Sequence, residues 1–450
     1  MTGQPPPVTN RLAQFIAGTQ REGVPPEVRR EGVRALLNFV GCALGGTRDA
    51  AMDIAVKVLT PFFGPPQAIV IGRGERPDAL NAAFLNSVSA NVLEYDDTHL
   101  LTVMHPAAPI APGLFALAEL RPVSGRELLD AFIIGVEISC RVGLGVMPTH
   151  YRRGWHITAT CGIFGATAAC ARLIGLDARR TAWALGHAAT QSASLVESLG
   201  SMGKSLGVGN AAKNGLAAAL FAEGGFTGPE EPIEGRYGFA AVTSDSADLA
   251  RITDGIGERW EVLNNAYKPY PCGVVLFPVI DASLELRARH APMLAAIDRV
   301  VVRGHPLMRE RTDRPHVETG RDARVSLQHS VAAALLFGAA GLAQYEENCV
   351  ADPAVCALRA RVFFEEDPAA PVESATVTLH LADGTEHSQH IRHGRGTPGR
   401  PMSDAELDSK MRELAAYGAP FLDAAGLIEA VRGIEEEGDA TRLVRLTVPA

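Results

Sequence analysis

Apolar residues recur at helical spacing through the first half of the chain. From Pro26 onward they return every three or four residues along one broad face, and Gly45 and Gly46 end that pattern. Other segments, such as CGIFGATAACARLIG, are small and apolar on every side, which is typical of helices buried inside a bundle. Further helices are predicted at residues 78–94, 109–120, 126–145, 158–176, 178–195 and 211–223. One short strand is predicted in this half, at residues 68–71.

The pattern changes after about Tyr267, where alternation typical of strands replaces helical spacing. Strands are predicted at residues 297–303, 375–381 and 386–391, and helices at residues 324–338 and 424–432. Helical spacing returns at Ser403, which with Glu406 has the sequence of a capping box. The predicted fold is therefore mainly α, with a large all-helical domain of residues 1–266 and 399–450. A smaller α+β domain of residues 267–398 completes it.

The composition is that of a globular protein with large buried cores. Of the 450 residues, 47% are apolar and 21% are charged, which excludes a disordered chain and a fibre. The net charge of −9 and the scattered arginines argue against nucleic acid as a partner. Seven cysteines without a CxxC pair favour a reducing, cytoplasmic setting.

The sequence predicts neither a secreted nor a membrane-spanning protein. Residues 1–11 lack a basic segment followed by an apolar core, as a signal peptide would have. Apolar runs also fall short of about 18 uncharged residues, because charges such as Arg172 interrupt them. We therefore expect no membrane partner.

Lysine is rare in this chain, and a lysine that remains is a candidate for a specific role. There are 37 arginines and five lysines, a bias that follows from a GC-rich coding background. Lys204, Lys213 and Lys268 lie in Gly- or Pro-rich apolar surroundings. A lysine ammonium is compact and its pKa falls readily on burial, unlike that of arginine. The alternative is that these three positions reflect chance.

The densest polar cluster follows the predicted helix at residues 78–94. Within twelve residues the chain carries Glu94, Asp96, Asp97, Thr98, His99 and His105. Such groups are costly to bury without partners, so the cluster favours contact with a polar substrate. The alternative is a solvated helix end at which Asp96 and Asp97 cap the next segment of the chain.

A second constellation runs from His150 through Tyr151 to His156. His156 comes just before the predicted helix at residues 158–176, where main-chain N–H groups and the helix dipole favour an anion. A substrate carboxylate is one candidate, and a capped helix end with a structural histidine is the alternative. Cys161, close by, lacks the surroundings of a catalytic thiolate.

Three other arrangements carry weaker signals. Lys204 and Lys213 lie on a Gly-rich stretch interpreted as a turn, and it is not a phosphate-binding loop because GxxxxGK[ST] is absent. Lys268 precedes Pro269 where the chain crosses between the predicted domains, and clefts between domains favour small-molecule sites. No zinc site is predicted at His387, His390 and His393, because positions three apart on a strand point to opposite faces.

Taken in order, EYDDTH…HP, GWHITATCG, GK…GNAAKNG and KPYPCG resemble the MmgE/PrpD family over nearly the whole chain. The family includes 2-methylcitrate dehydratase, cis-aconitate decarboxylase and iminodisuccinate epimerase. The resemblance implies a large helical domain, a smaller α+β lid domain, a homodimer and a site that uses no metal and no cofactor. It also implies a small di- or tricarboxylate as the substrate.

The resemblance places the site on Glu94, Asp97, Thr98, His105, His156, Lys204 and Lys268. We expect Lys204 and Lys268 to hold substrate carboxylates, and His105 and His156 to serve as base and acid in exchangeable roles. Asp97 and Thr98 would orient His105 or a substrate hydroxyl. Glu94 and Tyr151 complete the expected substrate-binding set.

Two departures from the family pattern make the substrate uncertain. Many relatives carry His-Pro where this chain has Phe277 and Pro278, and many carry a serine where this chain has Ala107 after His105-Pro106. An imidazole and a hydroxyl are therefore missing relative to those proteins.

The function expected from the resemblance is a hydro-lyase similar to 2-methylcitrate dehydratase. An epimerase or a decarboxylase on the same scaffold is the alternative, since all three begin by removing a proton or CO₂ next to a carboxylate. A non-catalytic carboxylate-binding protein and, least favoured, a helical scaffold for protein contacts belong to other classes.

We predict that Lys268→Ala lowers kcat/KM by on the order of 10²-fold or more, because a preorganised cation that stabilises developing charge is lost. Steady-state kinetics of this variant beside Lys57→Ala would test it. A Lys268→Ala enzyme within a few-fold of wild type would remove Lys268 from the mechanism.

Overall fold

The structure is a computed structural model that describes residues 7–449, apart from the side chains of residues 292–294. Two compact units are present: unit 1 is Met1–Asn265 with Asp404–Ala450, and unit 2 is Ala266–Ser403. The prediction that the chain has no signal peptide rests on residues 1–11, of which the first six lie outside the described part of the chain.

Unit 1 is almost entirely helical, and its first part runs to Asn265. Its elements are α1 Val8–Gly18, α2 Pro26–Gly46, α3 Ala50–Leu59, α4 Ala79–Asn91, β1 Thr98–His99, α5 Ala107–Leu120, α6 Gly125–Val146, α7 Thr149–Arg152, α8 Ile157–Thr160, α9 Gly162–Ile174, α10 Ala178–Gln191, α11 Gly203–Glu223, α12 Phe239–Thr243 and α13 Ala250–Thr253. The two-residue strand β2, Asn265–Ala266, marks the end of this part.

Unit 2 combines helices with a small sheet. Its elements are α14 Phe277–His290, β3 Ile297–Gly304, α15 Pro306–Thr312, α16 Gly320–Ala323, α17 Leu327–Phe337, α18 Glu347–Val350, α19 Pro353–Arg359, β4 Val362–Glu366, β5 Ala375–Leu381 and β6 Glu386–Ile391. The chain then returns to unit 1 with α20 Asp404–Gly418, α21 Ala424–Arg432 and α22 Thr441–Arg445.

The sheet of unit 2 has the strand order β4-β3-β5-β6. Strand β3 pairs in parallel with β4, with Val300 opposite Val362, and antiparallel with β5, with Val302 opposite Val377. Buried residues alternate along β5, so one face of the sheet packs on α14 and α17 and the other carries polar side chains. The alternation seen in the sequence is the reason this segment forms a half-buried strand.

The core of unit 1 is a bundle in which small residues let helices approach closely. Helix α11 packs on α4 and α9, α6 packs on α9, and α2 packs on both α4 and α20. At the α2–α4 crossing, a Cβ on Gly46 would lie 1.9 Å from the main-chain oxygen of Ser89, so only glycine fits there. The small, apolar composition of these helices is thus a packing requirement.

The mainly α fold with a smaller α+β unit is confirmed, and many predicted elements agree with the structure. Helices α2, α5, α6 and α21 and strands β3, β5 and β6 match their predicted spans to within about two residues. The segment at residues 158–176 is instead two helices, α8 and α9, which meet at Cys161.

Two predictions about local structure are wrong. Residues 68–71 form no strand. The N–H groups of Ala68 and Val70 donate to main-chain oxygens of residues 77 and 75, but on the other edge side chains take the place of a strand: Glu119 accepts from the Ile69 N–H at 2.6 Å and Asn86 from the Ile71 N–H at 2.8 Å. The Gly-rich stretch around Lys204 is helical from Gly203 onward. Gly209 there faces Phe84 and Val88 of α4, each 2.8 Å from where a Cβ would lie, so this glycine serves helix packing.

One described segment, Ile157–Ile174, is long and apolar enough to cross a membrane by length and composition alone. It is 83% buried inside the protein, as the core helix of a soluble protein would be. Arg172 within it donates to the main-chain oxygens of Ala17 and Thr19 at the end of α1, where the helix dipole favours a cation.

Candidate active site

The first part of the predicted polar cluster, residues 94–98, forms a turn, the acid turn, shortly after the end of α4. Asp96, Asp97 and Thr98 are at most 2% exposed. Glu94 has a φ of +54°, a left-handed conformation that costs about 1–3 kcal/mol in a residue other than glycine. The surrounding contacts therefore hold this turn in a conformation that its sequence alone does not favour.

Lys410 of α20 is the main anchor of the acid turn. Its ammonium donates to the main-chain oxygen of Tyr95 at 2.6 Å and to Oδ1 of Asn38 at 2.7 Å, and it lies 4.1 Å from the centre of the Tyr95 ring. The side chain is buried. Lys410 was not among the predicted site residues, although the scarcity of lysine was a signal that could have pointed to it.

Asp97 joins the acid turn to two other segments of unit 1. Its Oδ2 accepts a 2.7 Å bond from the Asn265 amide, and its Oδ1 accepts a 3.3 Å bond from the Ala107 N–H at the start of α5. Burial raises the pKa of Asp97 to about 7, with the charge of Asp96 acting in the same direction. Asp97 thus contacts the first residue of α5, but it is fully buried and not part of the solvated helix end considered as the alternative.

His105 is oriented by the main chain of the acid turn. Its Nδ1 lies 2.7 Å from the main-chain oxygen of Asp97 and 3.1 Å from the Thr98 hydroxyl. Because a carbonyl oxygen can only accept, Nδ1 carries the proton, and the neutral ring has its lone pair at Nε2. The His105 N–H donates to the Thr158 hydroxyl at 3.2 Å, which fixes the backbone at this point. It is the main-chain oxygen of Asp97, not its carboxylate, that meets this imidazole.

Lys204, a buried lysine at the start of α11, forms an ion pair with the partly exposed Glu94. The same two residues and His105 act electrostatically on His156, so the four side chains form one cluster. Burial, followed by the charge of Lys204 and then by an electrostatic interaction with His105, lowers the pKa of His156 to about 3. His156 is therefore a neutral imidazole at neutral pH. Its Nδ1 is buried and has no hydrogen-bond partner within residues 7–449.

Other residues singled out in the sequence have different surroundings. Tyr151 is partly exposed on α7. Lys268 is 1% exposed and belongs to unit 2. Phe277 lies in the core of the same unit, with its ring at 70° to that of Tyr270. Cys161 is buried, and burial raises the pKa of its thiol, so it is not a reactive thiolate.

His99 belongs to a buried network of charged side chains that the sequence did not predict. Its Nε2 lies 3.1 Å from Glu261, and the Glu261 N–H donates to Glu137, which pairs with Arg141. Arg141 also donates to main-chain oxygens of residues 252–259, at 2.8–3.4 Å. This network ties α6 to the segment before Asn265 and is structural.

Two family models account for most of the chain: the MmgE/PrpD N-terminal domain matches residues 10–252, and the MmgE/PrpD C-terminal domain matches residues 270–435. The chain belongs to the MmgE/PrpD family. The resemblance inferred from the ordered motifs is thereby confirmed.

Relatives within the MmgE/PrpD family carry two kinds of name. The chain is 26% identical to a cis-aconitate decarboxylase-like protein of Aspergillus oryzae, over 98% of this chain and 97% of that protein. It is 26% identical to cis-aconitate decarboxylase of Mus musculus, over 98% and 93%. It is 25% identical to 2-methylcitrate dehydratase of Escherichia coli, over 79% of each chain. Both kinds of relative are lyases.

The cluster in this MmgE/PrpD protein offers a cation, a base and a neutral hydrogen-bonding ring in one buried place. Lys204 can stabilise negative charge, His105 can take a proton at Nε2, and His156 can hydrogen-bond without adding charge. Among the described residues, no group of three or more His, Cys, Asp or Glu side chains could hold a metal ion.

We expect Asp97→Asn to remove part of the pH dependence of stability. Burial raises the pKa of Asp97 from 3.8 to about 7. Between pH 3.8 and pH 7, therefore, Asp97 is protonated in the folded protein and ionised in the unfolded chain. The bound proton stabilises the folded protein fully below about pH 4, and this contribution to the free energy of unfolding is lost as the pH rises through 7. Urea unfolding should show that wild type loses about 2–3 kcal/mol more than Asp97→Asn between pH 5 and pH 8.

The matched control for this experiment is Asp53→Asn, which removes an exposed carboxylate from α3. It should keep the pH dependence of the wild type. If Asp97→Asn also keeps it, Asp97 is ionised in the folded protein throughout this range and the expectation is wrong.

Proposed function

We propose that this protein is a metal-independent lyase that forms a carbanion next to a carboxylate of a small di- or tricarboxylate. The observation that carries the proposal is the buried Lys204, paired with Glu94, beside two imidazoles in different environments, His105 and His156. Membership of the MmgE/PrpD family and relatives named for reactions of such acids support it.

In the first step His105 acts as the base. The substrate C–H bond breaks, its proton bonds to Nε2, and the electron pair stays on the carbon next to a carboxylate. The resulting charge spreads onto that carboxylate, which Lys204 stabilises. His156, neutral at neutral pH, donates a hydrogen bond without introducing a competing charge, as neutral imidazoles can in proton-abstracting sites.

Lys268 is proposed as a second cation for the substrate, since it is a buried lysine of unit 2. Thr98 and Asp97 are proposed to position His105, one through its hydroxyl and the other through its main-chain oxygen. Tyr151 remains a proposed substrate contact on the strength of its sequence position alone.

Two reactions pass through a carbanion of this kind. In a dehydratase, the reaction expected from the sequence, the carbanion formed by proton abstraction loses its β-hydroxyl. In a decarboxylase no C–H bond is broken first: a C–C bond to a carboxylate breaks, CO₂ leaves with the electron pair staying on carbon, and that carbon takes a proton from His105, which starts this reaction as the imidazolium. Decarboxylation is favoured by the comparisons, because the decarboxylase-named relatives of Aspergillus oryzae and Mus musculus align over 98% of this chain and the dehydratase of Escherichia coli over 79%.

Proton NMR in D₂O tests the reaction directly. Wild type should convert at least one of cis-aconitate, citrate and 2-methylcitrate, and a chiral succinate derivative should be included as a probe of epimerisation. Loss of CO₂ would identify a decarboxylase, and a new olefinic product formed from a hydroxy acid would identify a dehydratase. Lys204→Met should reduce turnover by on the order of 10²-fold or more.

Lys57→Met is the matched control, because Lys57 is an exposed lysine on α3, and it should retain wild-type turnover. Exchange of the α-proton without a new product would indicate an epimerase instead. Saturable binding of these acids by calorimetry, with neither exchange nor turnover, would contradict the lyase proposal and support a carboxylate-binding protein.

We also propose that the protein is a homodimer, as the family resemblance implies. Light scattering coupled to size-exclusion chromatography should give about twice the chain mass of 47.6 kDa across a tenfold range of concentration. A constant mass equal to one chain would contradict this proposal.

A further inference from the structure

The buried carboxylate of Asp96 has one oxygen that the fold leaves without a hydrogen-bond donor. Its Oδ2 accepts a 2.6 Å bond from the Asn91 amide, whose own oxygen accepts a 3.0 Å bond from the Ser205 hydroxyl. Its Oδ1 is buried and has no hydrogen-bond partner in the described part of the chain. Such an oxygen raises the free energy of the folded protein unless a nearby charge compensates for it.

The ring of His105 lies against this oxygen. Nδ1 of His105 is 3.6 Å from Oδ1 of Asp96, which is too long for a hydrogen bond and close enough for a strong charge interaction in a buried place. The Nδ1 proton is already directed to the main-chain oxygen of Asp97. Asp96 therefore does not set the tautomer of His105, but it lies where the ring would carry positive charge.

We infer that Asp96 is a positioning residue for His105, whose carboxylate stabilises the imidazolium formed when this ring takes the substrate proton. The inference rests on the proposed function, in which the proton arrives at Nε2 while the electron pair stays on carbon. The positive charge is then shared with Nδ1, 3.6 Å from the carboxylate. A carboxylate beside the far side of a catalytic imidazole stabilises its charged form without itself becoming protonated.

The other charged groups of the cluster do not replace Asp96 in this role. Lys204 is paired with Glu94, and His156 is neutral at neutral pH. The carboxylate of Asp97 is bound to Asn265 and Ala107, so this residue meets His105 through its main-chain oxygen. Lys410, on α20, is bound to Tyr95 and Asn38.

The Asn91–Ser205 contact explains why Asp96 keeps this arrangement. Because the Ser205 hydroxyl donates to Oδ1 of Asn91, the amide NH₂ of Asn91 is the end that faces Asp96. That bond occupies Oδ2 and leaves Oδ1 for the imidazole. Ser205 follows Lys204 on α11, so the helix that supplies the substrate cation also orients the carboxylate behind the base.

NMR titration of the histidine rings in the full-length protein tests this inference without any substrate. Protein labelled with ¹³C at histidine would be titrated as wild type and as Asp96→Asn, with His105→Gln used to assign the His105 signal. Removing a carboxylate charge at this distance should lower the pKa of His105 by about one unit or more. Glu119→Gln removes a buried carboxylate near the other end of α5 and should leave this pKa unchanged.

Kinetics give the second readout. Asp96→Asn should reduce kcat by on the order of 10²-fold, and the acidic limb of the kcat/KM profile should move to lower pH, in parallel with the NMR shift. A residue needed only for folding would lower activity without moving that limb. An unchanged His105 pKa in a folded Asp96→Asn protein would overturn the inference.

A further measurement uses wild type alone, in case Asp96→Asn does not fold. The ¹⁵N shifts of the resting His105 ring should show the proton on Nδ1, and a proton on Nε2 would overturn the assignment. Failure of the proposed function is a separate outcome. In that case the wild-type protein would convert none of the acids. The NMR titration of the histidine rings would still decide whether Asp96 acts on His105.

Discussion

The bond from the Lys410 ammonium to the main-chain oxygen of Tyr95 is the interaction on which the candidate site depends. The acid turn places Asp96 and Asp97 next to each other in a buried position, with Glu94 in a left-handed conformation. Each of these features raises the free energy of the folded state. A buried cation that binds the middle of the turn offsets both, because it fixes the backbone and supplies opposite charge. Asn38 completes the anchor from α2.

The structure gives two histidines of one cluster opposite electrostatic surroundings. His105 has a carboxylate and a main-chain oxygen near Nδ1, which favour its charged form. His156 is buried near the Lys204 ammonium, and the resulting low pKa keeps it neutral. Differences of this kind let one residue accept a proton while its neighbour only donates a hydrogen bond. In this protein the low pKa of His156 comes first from its burial and then from Lys204 on α11, whereas His105 meets the acid turn.

Periodicity and capping residues predicted most of the fold, whereas contacts distant in sequence were not predicted. Helix α6 begins with a capping box at Ser124, and the Glu127 side chain completes it, so local sequence alone determines its start. The stretch around Gly203 contains several glycines and resembles a turn in sequence. It is helical in the structure, where Phe84 and Val88 of α4 pack against Gly209 and leave no room for a side chain there. The candidate residues on EYDDTH, GWH and GK could be named from motifs. Asp96 and Lys410 could not be given roles, since their partners are defined by packing.

The position of Lys410 in the chain has a consequence for biosynthesis. Tyr95 and Lys410 are 315 residues apart, and all of unit 2 is made between them. At about 5–20 residues per second, the acid turn would wait roughly 15–60 seconds on the ribosome before its anchor is synthesised. During that time two buried carboxylates have no cation from α20, and α2 lacks the helix that covers it. The amino-terminal part of unit 1 therefore reaches its final packing only after the last helices emerge, so a chain truncated before α20 would be released with its acid turn unanchored.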